Sequence, residues 1–255
     1  MPRDVGAVVN ALQILRCLAA STAPVGVAAV ARATGISTST CFNILRTLAR
    51  ARFASFDPAG KTYRLGLAMA EMAAGLVGVS QAELIRPELE RLALNHEMLI
   101  LLWRFTDDGH LVLIDRAHSQ TALRVEIAVG YRHPMLAGAI GRCAAARLRL
   151  PTAELRRRFA ALRWQAPMPF AVFQDQVRQA GERGWAVDEG NLFRGITAVA
   201  ALAADGAGRP RFGFSGVVIT AQGSAARLDA LGRDLVELAA LVERSLFAPA
   251  GPGPS

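Results

Sequence analysis

Apolar positions recur at helical spacing three times between residues 5 and 65 and then switch to strict alternation, which predicts three helices followed by a short hairpin. The first helix carries its stripe at Val8, Leu12, Leu15 and Leu18, with Asp4 placed to cap it. Ala23-Pro24-Val25-Gly26 breaks that helix. A second, short helix spans residues 27–34 and turns Val27, Val30 and Ala31 inward. Gly35 stands where a glycine in left-handed conformation would end it, Ile36 plugs the turn, and Ser37 caps the next helix. In that third helix Cys41, Ile44, Leu45 and Leu48 share one side, opposite Ser39, Asn43, Arg46 and Arg50. A helix, a glycine turn and a second helix make the helix-turn-helix pattern. Residues 53–65 then read as two strands around Asp57-Pro58-Ala59-Gly60, with Lys61 and Arg64 near the tip.

Gly66 opens a further helix with Met69, Met72, Ala73 and Leu76 on one side, ending around residues 75–78. We read it as a linker whose methionine side meets a second copy of the chain. Ser80-Gln81-Ala82-Glu83 is a capping box, so a new helix starts there and runs, bent at Pro87, to about His96. Strands are expected at 99–105 and 110–117, joined by Asp107-Asp108-Gly109, and at 123–129, 185–187, 196–203 and 211–219. Helices are expected at 138–148, 152–162, 170–183 and 224–247. The pattern therefore predicts an α+β chain. A winged helix-turn-helix occupies residues 1–65, a linker helix 66–79, and a mixed, mostly antiparallel sheet flanked by helices 80–247. The Pro/Gly/Ser tail, 248–255, should be disordered.

Composition sharpens this picture only in places. At 255 residues the chain has room for two cores. A formal charge of +8 and a pI near 10.8 favour a polyanionic partner. Lys61 is the only lysine in an Ala- and Arg-rich chain, so where the charge is placed says more than its sum. Cys17, Cys41 and Cys143 are far apart, without metal spacing, and read as small buried hydrophobes in a reducing compartment. The first residues lack the layout of a signal peptide, and the longest apolar run, residues 98–103, is too short to cross a bilayer. The expectation is a cytoplasmic protein with no membrane partner and no cofactor.

The motifs, taken in order, resemble the IclR family of bacterial transcription regulators over about residues 5–247. Val8-Val9-Asn10-Ala11-Leu12-Gln13-Ile14-Leu15 is similar to that family's first helix. Ala31-Arg32-Ala33-Thr34-Gly35-Ile36, followed by Ser39-Thr40 and Leu45-Arg46-Thr47-Leu48, resembles its helix-turn-helix, and Tyr63-Arg64-Leu65-Gly66 the end of its wing. Further on, Gly130 and the stretch from Pro134 to Gly141-Arg142 resemble the segment that closes its ligand pocket. Gly184-Trp185-Ala186-Val187-Asp188-Glu189 and Gly195 resemble its signature region. The resemblance implies a GAF-like effector domain joined to a winged DNA-binding domain, in homodimers or pairs of dimers that respond to a small organic acid. It places pocket positions at Leu136, Ala139, Ile140, Asp188, Ala198, Gly213 and Ser215.

The chain also departs from the family pattern. Ala198 and Gly213 stand where Ser or Cys is common, Leu136 where His is common, and Asn191 where an acidic residue is usual. Fewer hydroxyls imply a bulkier, less polar effector, such as an aromatic acid or a lactone-like catabolite. In the reading helix, Thr38, Phe42 and Asn43 replace more basic or hydrogen-bonding residues, so the operator differs too.

The residue types assign roles within double-stranded operator DNA. Asn43 suits bidentate contact to adenine and Arg46 to guanine O6/N7. Ser39 and Thr40 suit phosphate at the helix start, and Arg50, Lys61 and Arg64 suit the backbone beyond. Asp188 reads equally as a loop brace or a ligand contact. A ligand carboxylate would need backbone N–H groups, which the helix start near Ala139-Ile140-Gly141 offers. Trp103, Arg116, Arg124 and Glu126 lie on expected strands near the pocket, whereas His96, His110, His118 and His133 read as loop or surface residues. The alternative, an enzyme built on the GAF-like domain, lacks a Gly-x-Ser-x-Gly elbow, a phosphate loop or a metal cluster. A non-enzymatic regulator is the reading that uses every motif.

Overall fold

A computed structural model describes residues 4–74, 79–118 and 125–247. The chain divides into two compact units, one ending at Val79 and the other beginning at Ser80. The first holds α1 (Gly6–Ala20), β1 (Val25–Gly26), α2 (Val27–Thr34), α3 (Thr38–Arg50), β2 (Ala54–Asp57), β3 (Thr62–Leu65) and α4 (Ala68–Ala74). Its core gathers Ile14 and Leu18 of α1, Val30 of α2, Cys41 and Leu45 of α3, and Ala54 and Tyr63 of the hairpin.

Gly35 sits at φ +73° and caps α2 by donating its N–H to Ala31 O. A side chain there would strain the left-handed turn that sets α3 across α2. Ser37 caps α3 by accepting from the Thr40 N–H. The hairpin pairs Ser55 with Arg64 and Phe56 with Tyr63, and its turn is closed by Asp57, which accepts from the N–H groups of Ala59 and Gly60.

Two details of α1 correct the sequence reading. Its N-cap is Val5, with no side-chain bond, rather than Asp4. Its inward residues are Ile14 and Leu18, while Val8 and Leu12 stand 56% and 49% exposed. This helix is apolar on more than one side, so periodicity did not single out the side that α2 and α3 cover. The two-residue β1, which adds a third strand to the hairpin in the order β1-β3-β2, is too short to leave a periodic signal.

The second unit contains α5 (Gln81–His96), β4 (Leu99–Phe105), β5 (His110–Ala117), β6 (Arg132–Pro134), α6 (Gly138–Leu148), α7 (Thr152–Ala160), α8 (Phe170–Arg183), β7 (Trp185–Glu189), β8 (Ile196–Ala204), β9 (Pro210–Ile219) and α9 (Ala225–Leu246). The six strands form one antiparallel sheet in the order β6-β5-β4-β9-β8-β7. Ser80 and Glu83 complete the expected capping box at the start of α5.

On one face, α5 and α9 bury Ile100, Leu102, Phe214 and Trp185 with Leu89, Leu92 and Leu235. On the other, α6 covers Leu99, Leu101 and Trp103, and α8 packs behind it through Phe173 and Val177. Strand β4 is apolar and buried from Leu99 to Trp103, where both of its faces are covered, and Arg104 beyond is exposed.

The strand expected at 123–129 is not one. Residues 125–128 are irregular, and Arg124 lies with 119–124 outside the described residues. Its place at the sheet edge is taken by β6, after Gly130 turns the chain at φ +91° and the Leu113 N–H donates to Tyr131 O. The alternation of Val125 and Ile127 is met by covering a cavity, with no ladder needed. Leu76 and the tail 248–255 also lie outside the described residues.

Candidate DNA-reading face and ligand pocket

Helix α3 separates its residues cleanly. Cys41 and Leu45 are fully buried, Ile44 and Leu48 pack beside them, and Ser39, Phe42, Asn43, Arg46 and Arg50 are exposed. At its start the hydroxyls of Ser37, Ser39 and Thr40 form a local network, with Ser37 Oγ 2.8 Å from Thr40 Oγ1 and 3.1 Å from Ser39 Oγ. Ser39 is open to solvent, whereas Thr40 is half-buried and its hydroxyl already accepts from Ser37. The first-turn N–H groups of Thr38 and Ser39 precede the first intrahelical bond and face outward as an anion-favouring end. Along the same side the Arg46 guanidinium lies 5.7 Å from the centroid of the Phe42 ring. On the hairpin, Lys61 is exposed in the turn at φ +51°, and Arg64 is exposed on β3. The exposed outer side of α3 and the hairpin tip thus present hydroxyl, amide and cationic groups.

In the second unit a cavity of about 430 Å³ opens between the sheet and the start of α6. Leu101, Trp103, Ala198, Ser215 and Val217 form its sheet wall. Val125 to Ala128, with Tyr131 and His133, cover one side; Ala137–Ile140 and the loop carrying Leu192 and Phe193 close the other. The lining is largely aliphatic and aromatic, with a few polar atoms.

Ser215 accepts a 2.8 Å bond from Trp103 Nε1, which leaves its own O–H free to donate. His133 stacks edge-on against Trp103 at 4.8 Å and contacts Tyr131 at 6.1 Å. Its Nδ1 lies 2.9 Å from Pro134 O, an acceptor only, so Nδ1 carries the proton and Nε2 is left as an acceptor. Burial pushes this imidazole below its ordinary value of 6.5, which keeps it neutral. The N-terminus of α6 has no side-chain cap, and its first residues, whose N–H groups have no intrahelical acceptor, line the cavity.

Residues 7–58 match the IclR helix-turn-helix domain, and residues 76–244 match the bacterial transcriptional regulator IclR C-terminal domain. The chain belongs to the IclR family. It is accordingly a DNA-binding transcriptional regulator of that family. The glycerol operon regulatory protein of Streptomyces griseus is 28% identical over 97% of this chain and 99% of the relative. Crystal structures of an IclR transcriptional regulator from Alicyclobacillus acidocaldarius and of the Agobacterium tumefaciens repressor BlcR share the fold. Their TM-scores are 0.58 and 0.64, at 24% and 20% identity, over 95% and 96% of this chain and 99% and 98% of theirs.

The pocket positions expected for an IclR-family chain separate into two groups. Ala139, Ile140, Asp188, Ala198 and Ser215 meet at the cavity. Leu136 and Gly213 do not line it. Leu136 is buried among Ala144, Leu155 and Phe173 behind α6. Gly213 lies beneath Ile140, and a Cβ there would overlap the Ile140 Cδ1 atom. The bare backbone at Gly213 is what lets α6 approach and turn Ile140 against the sheet. Asp188 is committed to a brace: its carboxylate accepts from Asn191 N–H at 2.7 Å and Leu192 N–H at 3.2 Å.

Two residues to which the sequence reading gave no role in the pocket matter here. His133 is a wall of the cavity, not a surface residue, because β6 inserts it beside Trp103. Arg142, fully buried on α6, holds the back of the site together. Its Nε donates to Gln176 at 2.8 Å, its Nη2 donates to Asn191 at 3.3 Å, and its Nη1 lies 3.4 Å from Asp188 Oδ2. The guanidinium also faces the rings of Trp164 and Phe173. Burial pulls Arg142 below its ordinary value, and Asp188 opposes that shift. Glu126, whose side chain is half exposed, pairs with Arg116 at 2.5 Å.

Of the other histidines expected in loops or at the surface, His110 is partly exposed at the start of β5. By contrast, His96 ends α5 with its side chain largely buried and 2.7 Å from Asp234, and His118 keeps a buried Nδ1 without a partner among the described residues. Cys41 and Cys143 are buried and Cys17 half-buried, all as free thiols, and burial pushes Cys143 up to about 12. Among the described residues no His, Cys, Asp and Glu cluster is arranged for a metal, and no helix is long and apolar enough to cross a membrane.

Proposed function

We propose that this regulator binds operator DNA through Ser39, Thr40, Asn43, Arg46 and Arg50 of α3 and through Lys61 and Arg64 of the wing, under control of a small organic acid in the 430 Å³ cavity. The observation that carries the effector reading is the meeting of apolar walls with a few directed polar groups. The acid's carboxylate accepts from the uncapped N–H groups at the start of α6 and from the Ser215 hydroxyl, where the helix dipole also favours an anion. Its carbon skeleton fills the space between Trp103, Ile127, Ile140 and Phe193. Asp188 and Glu126 do not repel it, since each is matched by an arginine. A cavity of this size and lining suits an aromatic acid or lactone better than a two- or three-carbon acid.

The exposed apolar residues Val5, which caps α1, Val8 and Leu12 of α1, and Met72 of α4 support a homodimer, with pairs of dimers as a further step. Two α3 helices related by a twofold axis then read an imperfect palindrome in successive major grooves. The test combines a gel shift on DNA flanking the gene with calorimetric titration of aromatic acids, pyruvate and glyoxylate. Aromatic acids should bind and change operator affinity. Binding by pyruvate or glyoxylate alone would overturn the effector reading.

A further inference from the structure

Phe42 is out of place on the polar side of α3. It is 44% exposed, and the unit's core is closed without it, so the ring is open to a partner on this side. Its neighbours along the helix are Asn43 and, one turn on, Arg46, whose guanidinium lies 5.7 Å from the ring centroid. The contact steadies Arg46 while leaving the ring edge open. A phenyl ring has no donor for a phosphate oxygen, so it adds nothing to backbone positioning. The major groove offers one apolar group to such a ring, the C5-methyl of thymine.

We infer that Phe42 is a specificity-determining residue that packs against a thymine methyl in each operator half-site, beside the base that Arg46 reaches. This deepens the reading of α3 proposed above and rests on it. Arg46 supplies hydrogen bonds to a base edge, and Phe42 supplies the apolar contact that selects its neighbour. An operator built on Arg46 alone would leave that neighbouring position unselected; with Phe42 it favours a thymine methyl there.

The experiment uses the full chain to enrich duplexes from a random pool. Thymines of the enriched duplex are then replaced one at a time by uracil, which removes only the C5-methyl. Fluorescence anisotropy should show wild-type affinity falling about fourfold on replacement at one position per half-site, the value of one lost apolar carbon contact. Phe42→Ala should bind the thymine and uracil duplexes equally. Arg46→Ala should bind both more weakly while keeping the thymine-to-uracil ratio. Circular dichroism of both variants checks that the surface substitutions leave the fold intact. Enrichment with no uracil effect at any position, or a ratio that survives in Phe42→Ala, would overturn the thymine contact alone. Failure to enrich any duplex would overturn the reading of α3 itself, and this inference with it.

Discussion

Arg142 carries its charge where no solvent reaches it, and everything near it is arranged around that fact. Gln176 and Asn191 accept hydrogen bonds from it, Asp188 stands 3.4 Å from Nη1 as the counter-charge without a hydrogen bond to that nitrogen, and two aromatic rings enclose it. Breaking such a pair leaves one charge uncompensated, so Arg142→Met should lower unfolding stability by about 3–5 kcal/mol. The double variant Arg142→Met/Asp188→Leu should recover only the part due to the unpaired carboxylate, because the Asn191 and Leu192 N–H groups then lose their acceptor. Urea midpoints of the three proteins check both statements.

His133 makes a second residue-level prediction. Burial depresses its folded value, so the unfolded chain takes up a proton at higher pH than the folded one. Its contribution is complete above the unfolded value near 6.5 and is lost as pH falls through the lower folded value. His133→Phe keeps the packing on Trp103 and removes the titration. Denaturation between pH 7 and 5 should show a shallower fall in stability for the variant than for the wild type.

At the scale of elements, the contact of α6 with β9 decides whether the cavity exists in this shape. Gly213→Ala would drive a methyl into Ile140, an overpacking cost of about 1–3 kcal/mol, and would displace the start of α6. Gly213→Ala/Ile140→Ala should relieve that clash and enlarge the cavity but keep the cost of a truncated buried isoleucine, about 2–5 kcal/mol. A thermal-shift comparison of the two variants should therefore show larger shifts with bulky aromatic acids for the double variant.

The same contact shows where the sequence was legible. Helix α3, its cap and the wing are local: their spacing and turn residues act within a few positions, so Cys41, Leu45, Gly35 and Asp57 were readable in advance. The capping box of α5 was readable for the same reason. Ile140 above Gly213, Arg142 beside Asn191 and His133 against Trp103 join residues 30 to 80 positions apart, and no period in the chain encodes such meetings. Helix α1 was ambiguous for a different reason, since apolar residues on two sides leave the inward one to be chosen by partners.

At the scale of the molecule, the two proposed roles predict different signatures when the charge is cut. Lys61→Ala or Arg64→Ala should flatten the slope of log affinity against log salt by roughly one unit per bound chain and leave sequence preference unchanged. Arg46→Ala should instead cost about 1–3 kcal/mol and relax preference at one base pair. Coupling between pocket and operator adds a stricter condition. If an acid changes operator affinity by some factor, the operator must change affinity for that acid by the same factor, because both are legs of one thermodynamic cycle. An acid that binds equally well with and without DNA shifts nothing, however tightly it is held. Calorimetric titration of the acid into free protein and into the protein–operator complex measures one leg, and anisotropy with and without acid measures the other. Equal factors are expected. A strong effect on DNA affinity with no matching change in acid affinity would mean that the binding event seen by calorimetry is not the one coupled to the operator.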